Sequence, residues 1–440
     1  MREALEAIAS SLEGLRRPGE DFAASLYGEI SEFARFSQGR PHQIGSVEQI
    51  ELDLRWIVGR RQARLSLALS GNPADDRARV GGAVAKLREV SSGTSEDPYL
   101  LLPERVHSSE RTGVVEGPDG RELLAVFCEL HRGTDAVGVM AAGSQFVGFA
   151  NGAGQRNWHS VHSHHFDWSL HDPEGRAVKA SHAGFRFDAE ALARRVELAK
   201  REQSALRNAA KTLSPGRFRV FLAPDAMAEI LGLIGWEGFS IRAQKTRATP
   251  LRRLVEGEAA LHASVEIGED TENGLAPNFD ALGFPRPGRV DLVAAGRHAG
   301  ALVSPRSAAE YGIPTNGASD YESPLSLDLS PGTLSTDAAL EELGTGIYVS
   351  NLWYSNFSDR NACRTTGMTR FATLWVENGR PVAPVAPMRF DDTLYRMLGD
   401  NLVALTAERS FLPDPGTYGR RSLCSTRLPG ALIDDFTLTL

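Results

Sequence analysis

Leu213 to Gly235 reads LSPGRFRVFLAPDAMAEILGLIG. Ser214-Pro215-Gly216 is turn chemistry: proline fixes one backbone angle, glycine frees the next, and together they end whatever precedes them. RFRVFLA then reads as a strand, and Pro224 suits the first turn of a helix whose inner face would be Met227, Ile230, Leu231 and Ile234. A strand and helix begun afresh at mid-chain predict a second domain, with expected limits of 1–214 and 215–440. A chain of 440 residues is long enough for two cores.

Upstream of the turn, the pattern mixes helices and antiparallel strands. MREALEAIASSLEGL spaces Leu5, Ile8, Leu12 and Leu15 as a folded amphipathic helix rather than a signal peptide. Ile30 to Ser70 alternates apolar and polar residues between glycine-containing turns, as a meander does. ADDRARVGGAVAKLREV returns to helical spacing at Val80, Ala83, Val84, Leu87 and Val90, with acidic residues at the positive end of the helix dipole. Strand signals are expected from Leu123 to Phe187, closing on a hairpin after Asp172, and a second amphipathic helix is expected from Leu192 to Leu213.

Downstream, short strands cut by Gly and Pro dominate, with RFDDTLYRMLGDNL the clearest late helix and LIDDFTLTL a final strand tied into a sheet. The predicted class is α+β: an N-terminal domain with an antiparallel sheet and helices, and a strand-rich C-terminal domain with few helices. Composition limits the function. A formal charge of −8 argues against sequence-independent nucleic-acid binding. No apolar run approaches the roughly 18 residues of a membrane helix, so no membrane partner and a cytoplasmic location are expected. Cys128, Cys363 and Cys424 form no C-x-x-C pair, which predicts reduced thiols rather than a disulfide framework or zinc ribbon. Phosphate-cradling glycine loops are absent from the sequence.

From about Phe218 to Leu440 the order of landmarks resembles the TldD/PmbA family, also called modulator of DNA gyrase proteins. They are RFRVFLAPDAMAEIL, LGFPRPGRVDLVAAGRHAGALVSPRSAAEYG, PTNGAS, LDLSPGTLSTDAALEEL, GTGIYVSNL, FATLWVENGRPVAPV, LGDNLVAL and LPGALIDDFTLTL. The resemblance implies a two-domain α+β protein whose relatives form dimers around a central cavity. One branch is a zinc peptidase carrying H-E-x-x-x-H on the helix after the first C-terminal strand, and it works with a sister subunit that lacks the motif.

Ungapped counting from Pro224 puts those histidines at Gly232 and Glu237 and the glutamate at Leu233; Asp225 to Ser240 holds no histidine. A further cysteine ligand of that branch would fall near Pro415, whereas Cys424 lies later. One thiolate without two imidazoles makes neither a closed nor a catalytic zinc site. The resemblance is therefore to the metal-free sister subunit, with no catalytic or metal-ligating residue of its own. Zinc is expected only in a partner subunit, and the expected partners are a zinc-bearing TldD-type subunit or a second copy of this chain, with a peptide as substrate.

Two other chemistries are weighed. His162 and His164 in NWHSVHSHHFDW would share a strand face and could hold a metal with Cys424 or another histidine in a stand-alone hydrolase, but that face also carries Trp158, Phe166 and Trp168, as packed core does. Cys363 lies between Arg360 and Arg364, yet no histidine follows His298 to serve as its base. The polar stretch NFSDRNACRTTGMTR, Asn356 to Arg370, sits between two strands that the resemblance places beside the cavity. Asn351, Trp353, Tyr354, Arg364, Thr366, Gly367 and Arg370 are the expected contacts to an extended peptide or a partner, supplying donors, hydroxyls and an aromatic wall. A hairpin loop whose arginines pair with acids such as Asp359 is the plainer alternative. A homodimeric peptide-binding module is a third reading.

Overall fold

A computed structural model describes residues 1–113 and 118–440. The first half runs α1 (Arg2–Leu15), β1 (Glu20–Ser37), β2 (Arg40–Val58), β3 (Arg61–Leu69), α2 (Pro73–Gly93), β4 (Ser109–Thr112), α3 (Gly120–Leu130), β5 (Asp135–Asn151), β6 (Arg156–His171), β7 (Ala177–Gly184) and α4 (Ala189–Ala205). Its strands form one seven-stranded sheet in the order β3-β2-β1-β5-β6-β4, with β7 also paired to β6. All pairings are antiparallel except β4 with β6.

The second half begins β8 (Gly216–Leu222), α5 (Pro224–Gly238), α6 (Ile241–Lys245), α7 (Arg252–Val255), β9 (Ile267–Asp270), β10 (Arg289–Ala294), β11 (Arg297–His298) and α8 (Pro305–Tyr311). It continues β12 (Ser326–Leu329), α9 (Ala339–Leu343), β13 (Gly346–Asp359), β14 (Arg364–Glu377), β15 (Arg380–Pro384), β16 (Arg389–Thr393), β17 (Leu402–Pro413) and β18 (Ser425–Leu438). These strands form an eleven-stranded mixed sheet in which β8 pairs with both β13 and β18, so β18-β16-β14-β13-β8 closes on itself. The class is α+β, and among the described residues no helix is long and apolar enough to cross a membrane.

Alternation along β1 sets the first half's layers. Phe22, Ala24 and Leu26 face α1 and α2, packing with Leu5, Ile8, Leu12, Val80, Val84, Leu52, Leu54 and Trp56. Ala23 points the other way and packs with Val147, Phe149, Phe279 and Leu282, so the opposite sheet face is covered by a segment from the second half. A further core joins α3, α4, β6 and β7 to Ala372 and Leu374 of β14. In the second half, Met227, Ile230, Leu231 and Ile234 of α5 are buried, as their spacing predicts, against strand residues such as Val220, Val349 and Phe436.

Several expectations are corrected. Leu123 begins no strand: Leu123, Leu124 and Phe127 are the buried face of α3, and Asp119 caps it by accepting from the N–H groups of Arg121 and Glu122, both at 2.9 Å. The meander begins at Glu20 rather than Ile30. α4 ends at Ala205, so Ala209 and Leu213 lie beyond it. RFDDTLYRMLGDNL is not a regular helix, since Arg389–Thr393 is strand and the helical part begins only at Leu394, running into a π turn over Arg396–Asp400. Asp392 explains the break: its carboxylate accepts from Arg396 Nε (3.0 Å), Thr437 N (3.1 Å) and Thr437 Oγ1 (2.8 Å), tying the segment to β18.

Candidate functional site

α5 occupies the position where the peptidase branch would grip zinc. Gly232 is exposed and offers no donor, and Leu233 is apolar. Glu237 has φ 65°, outside helical backbone, and its Oε2 accepts from Arg360 Nη2 at 2.6 Å. Zinc needs several N, S or carboxylate donors converging on one point. The donors on this helix do not fit that ion, and among the described residues no cluster of three or more His, Cys, Asp or Glu side chains has metal-binding geometry.

The seven sequence-predicted contacts divide into two groups. Asn351 lies opposite Arg370 across β13 and β14, and the Arg370 guanidinium stands 4.4 Å from the Trp353 ring centroid. Trp353 in turn meets Tyr354 edge-on at 5.7 Å, and both rings are exposed. Trp353, Tyr354 and Arg370 thus form one outward patch, with Asn351 buried behind it and accepting from Ser350 Oγ at 2.8 Å. Tyr354 and Phe371 take positive φ of 59° and 57° beside irregularities in the β13 ladder, a strained backbone that holds the patch outward.

Arg364, Thr366 and Gly367 belong to the framework. Arg364 pairs with Asp391 at 3.1 Å, and Thr366 donates to the Phe390 carbonyl at 2.8 Å. A Cβ on Gly367 would lie 2.7 Å from Phe390 Cε1 and 3.1 Å from the Trp353 carbonyl oxygen, so glycine is required for close strand packing. Asp359 pairs with none of the three arginines; its Oδ1 accepts from the N–H groups of Asn361 and Ala362. Cys363 is fully buried, and burial pushes its thiol up to about 12.

The histidines are packed. His162 Nδ1 lies 3.2 Å from Ser144 Oγ, and His164 sits between His182 and Phe187 with ring centroids at 5.7 and 5.5 Å. Burial, helped by neighbouring positive charge, lowers His164 to about 3 and His182 to about 4, so both rings are neutral at pH 7.

A large concavity lies elsewhere. A cleft of about 810 Å³ opens between β1, β2, β3 and β5 on one side and the segments 277–286, 318–325 and 418–424 on the other. Cross-strand register builds its floor: Glu51 and Val147 flank Tyr27, Gln49 and Gln145 flank Glu29, and Asp53 and Phe149 flank Ser25. The segment before β18 forms its rim. Gln49 Nε2 donates to the Gly419 carbonyl at 2.7 Å, and Gln145 Nε2 to the Arg421 and Ser422 carbonyls at 3.0 and 3.2 Å. Arg420 lies over the Tyr27 ring at 4.1 Å and meets Glu51 at 3.4 Å.

Arg421 is buried, donating to Ser31 Oγ, the Gly143 carbonyl and both oxygens of Ser163 at 2.7 to 3.4 Å. Burial lowers its pKa to about 10 against the pull of Glu29. Cys424 also lines the cleft, with burial raising its thiol. None of the seven predicted contacts reaches this cleft. Its residues look unremarkable in sequence, because a polar position on an alternating strand is ordinarily a solvated one. The available signal was the pair Arg420-Arg421 in a glycine-rich segment with little else to bind them.

Comparison with known proteins follows from this architecture. Residues 215–440 match the model of the PmbA/TldA metallopeptidase C-terminal domain. A comparison with curated proteins gives no match. Among solved structures, the chain is similar to TldE from Thermococcus kodakarensis, with TM-score 0.77 and 14% identity over 99% of this chain and 100% of that one. A candidate modulator of a DNA gyrase from Thermotoga maritima gives TM-score 0.76 and 14% identity over 100% of both chains. One from Bacteroides thetaiotaomicron gives 0.72 and 12% over 100% of this chain and 98% of that one. These structural likenesses show the fold, and the family match, covering more than half of the sequence, shows that the chain belongs to the TldD/PmbA family.

Proposed function

We propose that this chain is the non-catalytic subunit of a TldD/PmbA-type metallopeptidase, acting in the cytoplasm to help enclose and bind an unfolded or short peptide. One observation carries the reading: the positions on α5 where the peptidase branch holds zinc present an exposed glycine, a leucine and a glutamate committed to Arg360. Such a surface cannot polarise a carbonyl or activate water, so the metal chemistry falls to a zinc-bearing partner. What this chain supplies is shape. The patch of Trp353, Tyr354 and Arg370 has the residue types that anchor partners, and the 810 Å³ cleft has the size of a ligand site.

Affinity purification of the chain from its native host, with metal quantification, tests the assignment. A relative carrying H-E-x-x-x-H should co-purify, while the chain purified alone should hold no stoichiometric zinc and cleave no peptide. Chelator-sensitive peptidase activity of the isolated chain would overturn the proposal. A dimer of this chain alone that binds peptides would favour the homodimeric module instead.

A further inference from the structure

Most cations lining the cleft are already answered by the protein. Arg64 forks onto Asp53, Arg420 meets Glu51 and the Tyr27 ring, Arg55 donates to Gln62 Oε1 at 3.0 Å, and Arg421 is buried in its own hydrogen bonds. Arg286 differs. Its Nε donates to the Gly317 carbonyl at 2.7 Å, its Nη1 is buried without a partner, and it forms no ion pair among the described residues. Backbone groups fix its stem, since Arg286 N donates to the Asn278 carbonyl at 2.8 Å. A guanidinium held in place with unused donors is arranged to receive a planar anion.

The neighbours decide which anion. Asp280 and Asp320 also line the cleft, and Asp280 has Oδ1 committed to the N–H groups of Leu282 and Phe284 at 2.9 and 2.8 Å. Buried Glu269 and Asp280 both feel the Arg286 charge, and Asp320 adds to the negative field at Asp280, a surround that disfavours a dianion such as phosphate while a single carboxylate is tolerated. Tyr321, 79% exposed, stands on the same rim and offers a flat wall to an extended chain. We propose that Arg286 anchors one carboxylate of an extended peptide in this cleft, with the Tyr321 ring as the adjoining wall. The inference rests on the peptide-binding reading above and gives it a chemical preference.

The test uses the full chain and three short, fluorescently labelled alanine-rich peptides: a free acid, its C-terminal amide, and an amide with one internal glutamate. Binding is followed by anisotropy. At least one carboxylate-bearing peptide should bind about tenfold or more tightly than the neutral amide, a difference of about 1.4 kcal/mol. Preference for the free acid assigns the terminal carboxylate, and preference for the glutamate peptide assigns a side chain. Arg286→Gln should erase the difference. Asp320→Asn, an exposed substitution that leaves the fold intact, should tighten binding of the carboxylate-bearing peptide and leave the neutral one unchanged. Equal binding of all three peptides would overturn the anchor while leaving peptide binding standing; no binding of any peptide would remove both. A preference that survives Arg286→Gln, or carboxylate binding indifferent to Asp320→Asn, would also overturn the anchor.

Discussion

Glu322 has no solvent exposure, takes φ 54°, and holds two helix starts at once. Its carboxylate accepts from Ser240 Oγ (2.5 Å) and Arg242 N (3.1 Å) at the head of α6, and from Ser304 N (2.9 Å) and Ser304 Oγ (2.8 Å) at the head of α8. Burial alone would raise its pKa, but these donors overcome that and hold it below the ordinary glutamate value. Charge-assisted hydrogen bonds contribute about 1.5–3 kcal/mol each, and stranding their donors has a further penalty. Glu322→Ala should therefore lower the unfolding free energy by about 3 kcal/mol or more, read as a shifted urea midpoint, and Glu322→Gln should fall between. Thiol labelling makes a second check at this scale. Native protein should leave Cys363 unmodified by a water-soluble disulfide reagent and expose it only on denaturation, because the thiol is buried and held near 12. Single residues of this kind were only half legible in the sequence. Gly367 stood out as a glycine, but the approach of Phe390 that requires it is a cross-strand contact. Glu322 reads as one more acid in a loop, because its four donors come from segments distant in sequence.

Strand β6 and its neighbour β7 carry buried, neutral imidazoles on both faces of the sheet. Burial lowers His159 and His165 to about 4, His164 to about 3 and His182 on β7 to about 4, and His131 beside α3 falls to about 4 for the same reason. An unfolded histidine takes up its proton near pH 6.5, whereas these folded ones resist until about pH 4 or below. The unfolded state thus binds more protons throughout that window, and stability rises with pH across it. Each histidine removes up to about 1.4 kcal/mol per pH unit on acidification below 6.5, and five together offset a typical folding free energy of about 5–15 kcal/mol within two pH units. Circular dichroism against pH should show cooperative unfolding between pH 6 and 4, and His164→Leu should move the midpoint to lower pH. A flat profile across that range would contradict the burial described. Element identity here followed from pattern: the period of two along β6 and the hairpin after Asp172 are local features. α3 was misread because its apolar residues, Leu123, Leu124 and Phe127, precede a strong strand, although Asp119 followed three residues later by Glu122 carries a helix-start signature. The late segment failed for a different reason, since Asp392 is held by Thr437 on the last strand, a contact local periodicity cannot express.

The two sheets divide the chain near the turn at Ser214-Pro215-Gly216, yet the molecule is not two independent bodies in its contacts. Ala372 and Leu374 of β14 pack with α3 and α4, Phe279 and Leu282 cover the outer face of β1 and β5, and Arg421 reaches through to Ser31, Gly143 and Ser163 of the first sheet. That last contact is invisible in GTYGRRSLC, which has the composition of a solvated loop and meets its partners across more than half of the chain. Unfolding should therefore be one cooperative transition in calorimetry, despite the two sheets, because two of the apolar clusters and the Arg421 hydrogen bonds are shared between them. Arg421 allows the coupling to be measured. Its guanidinium holds Ser31, Gly143 and Ser163 and feels the charge of Glu29 inside a site with almost no solvent, while Glu29 keeps its own bonds from the Arg421 backbone N–H at 3.4 Å, from Ser31 Oγ at 3.1 Å and from Gln49. Hydrogen bonds from a charged donor contribute about 1.5–3 kcal/mol each, so losing the guanidinium costs about 3–5 kcal/mol, and neutralising Glu29, left without the nearby positive charge, recovers part of it. Arg421→Ala should accordingly lower stability by that amount and split the thermal transition in two, while Arg421→Ala with Glu29→Gln should be more stable than the single variant. If the two substitutions are merely additive, the charges are not coupled, and the apolar contacts alone join the halves.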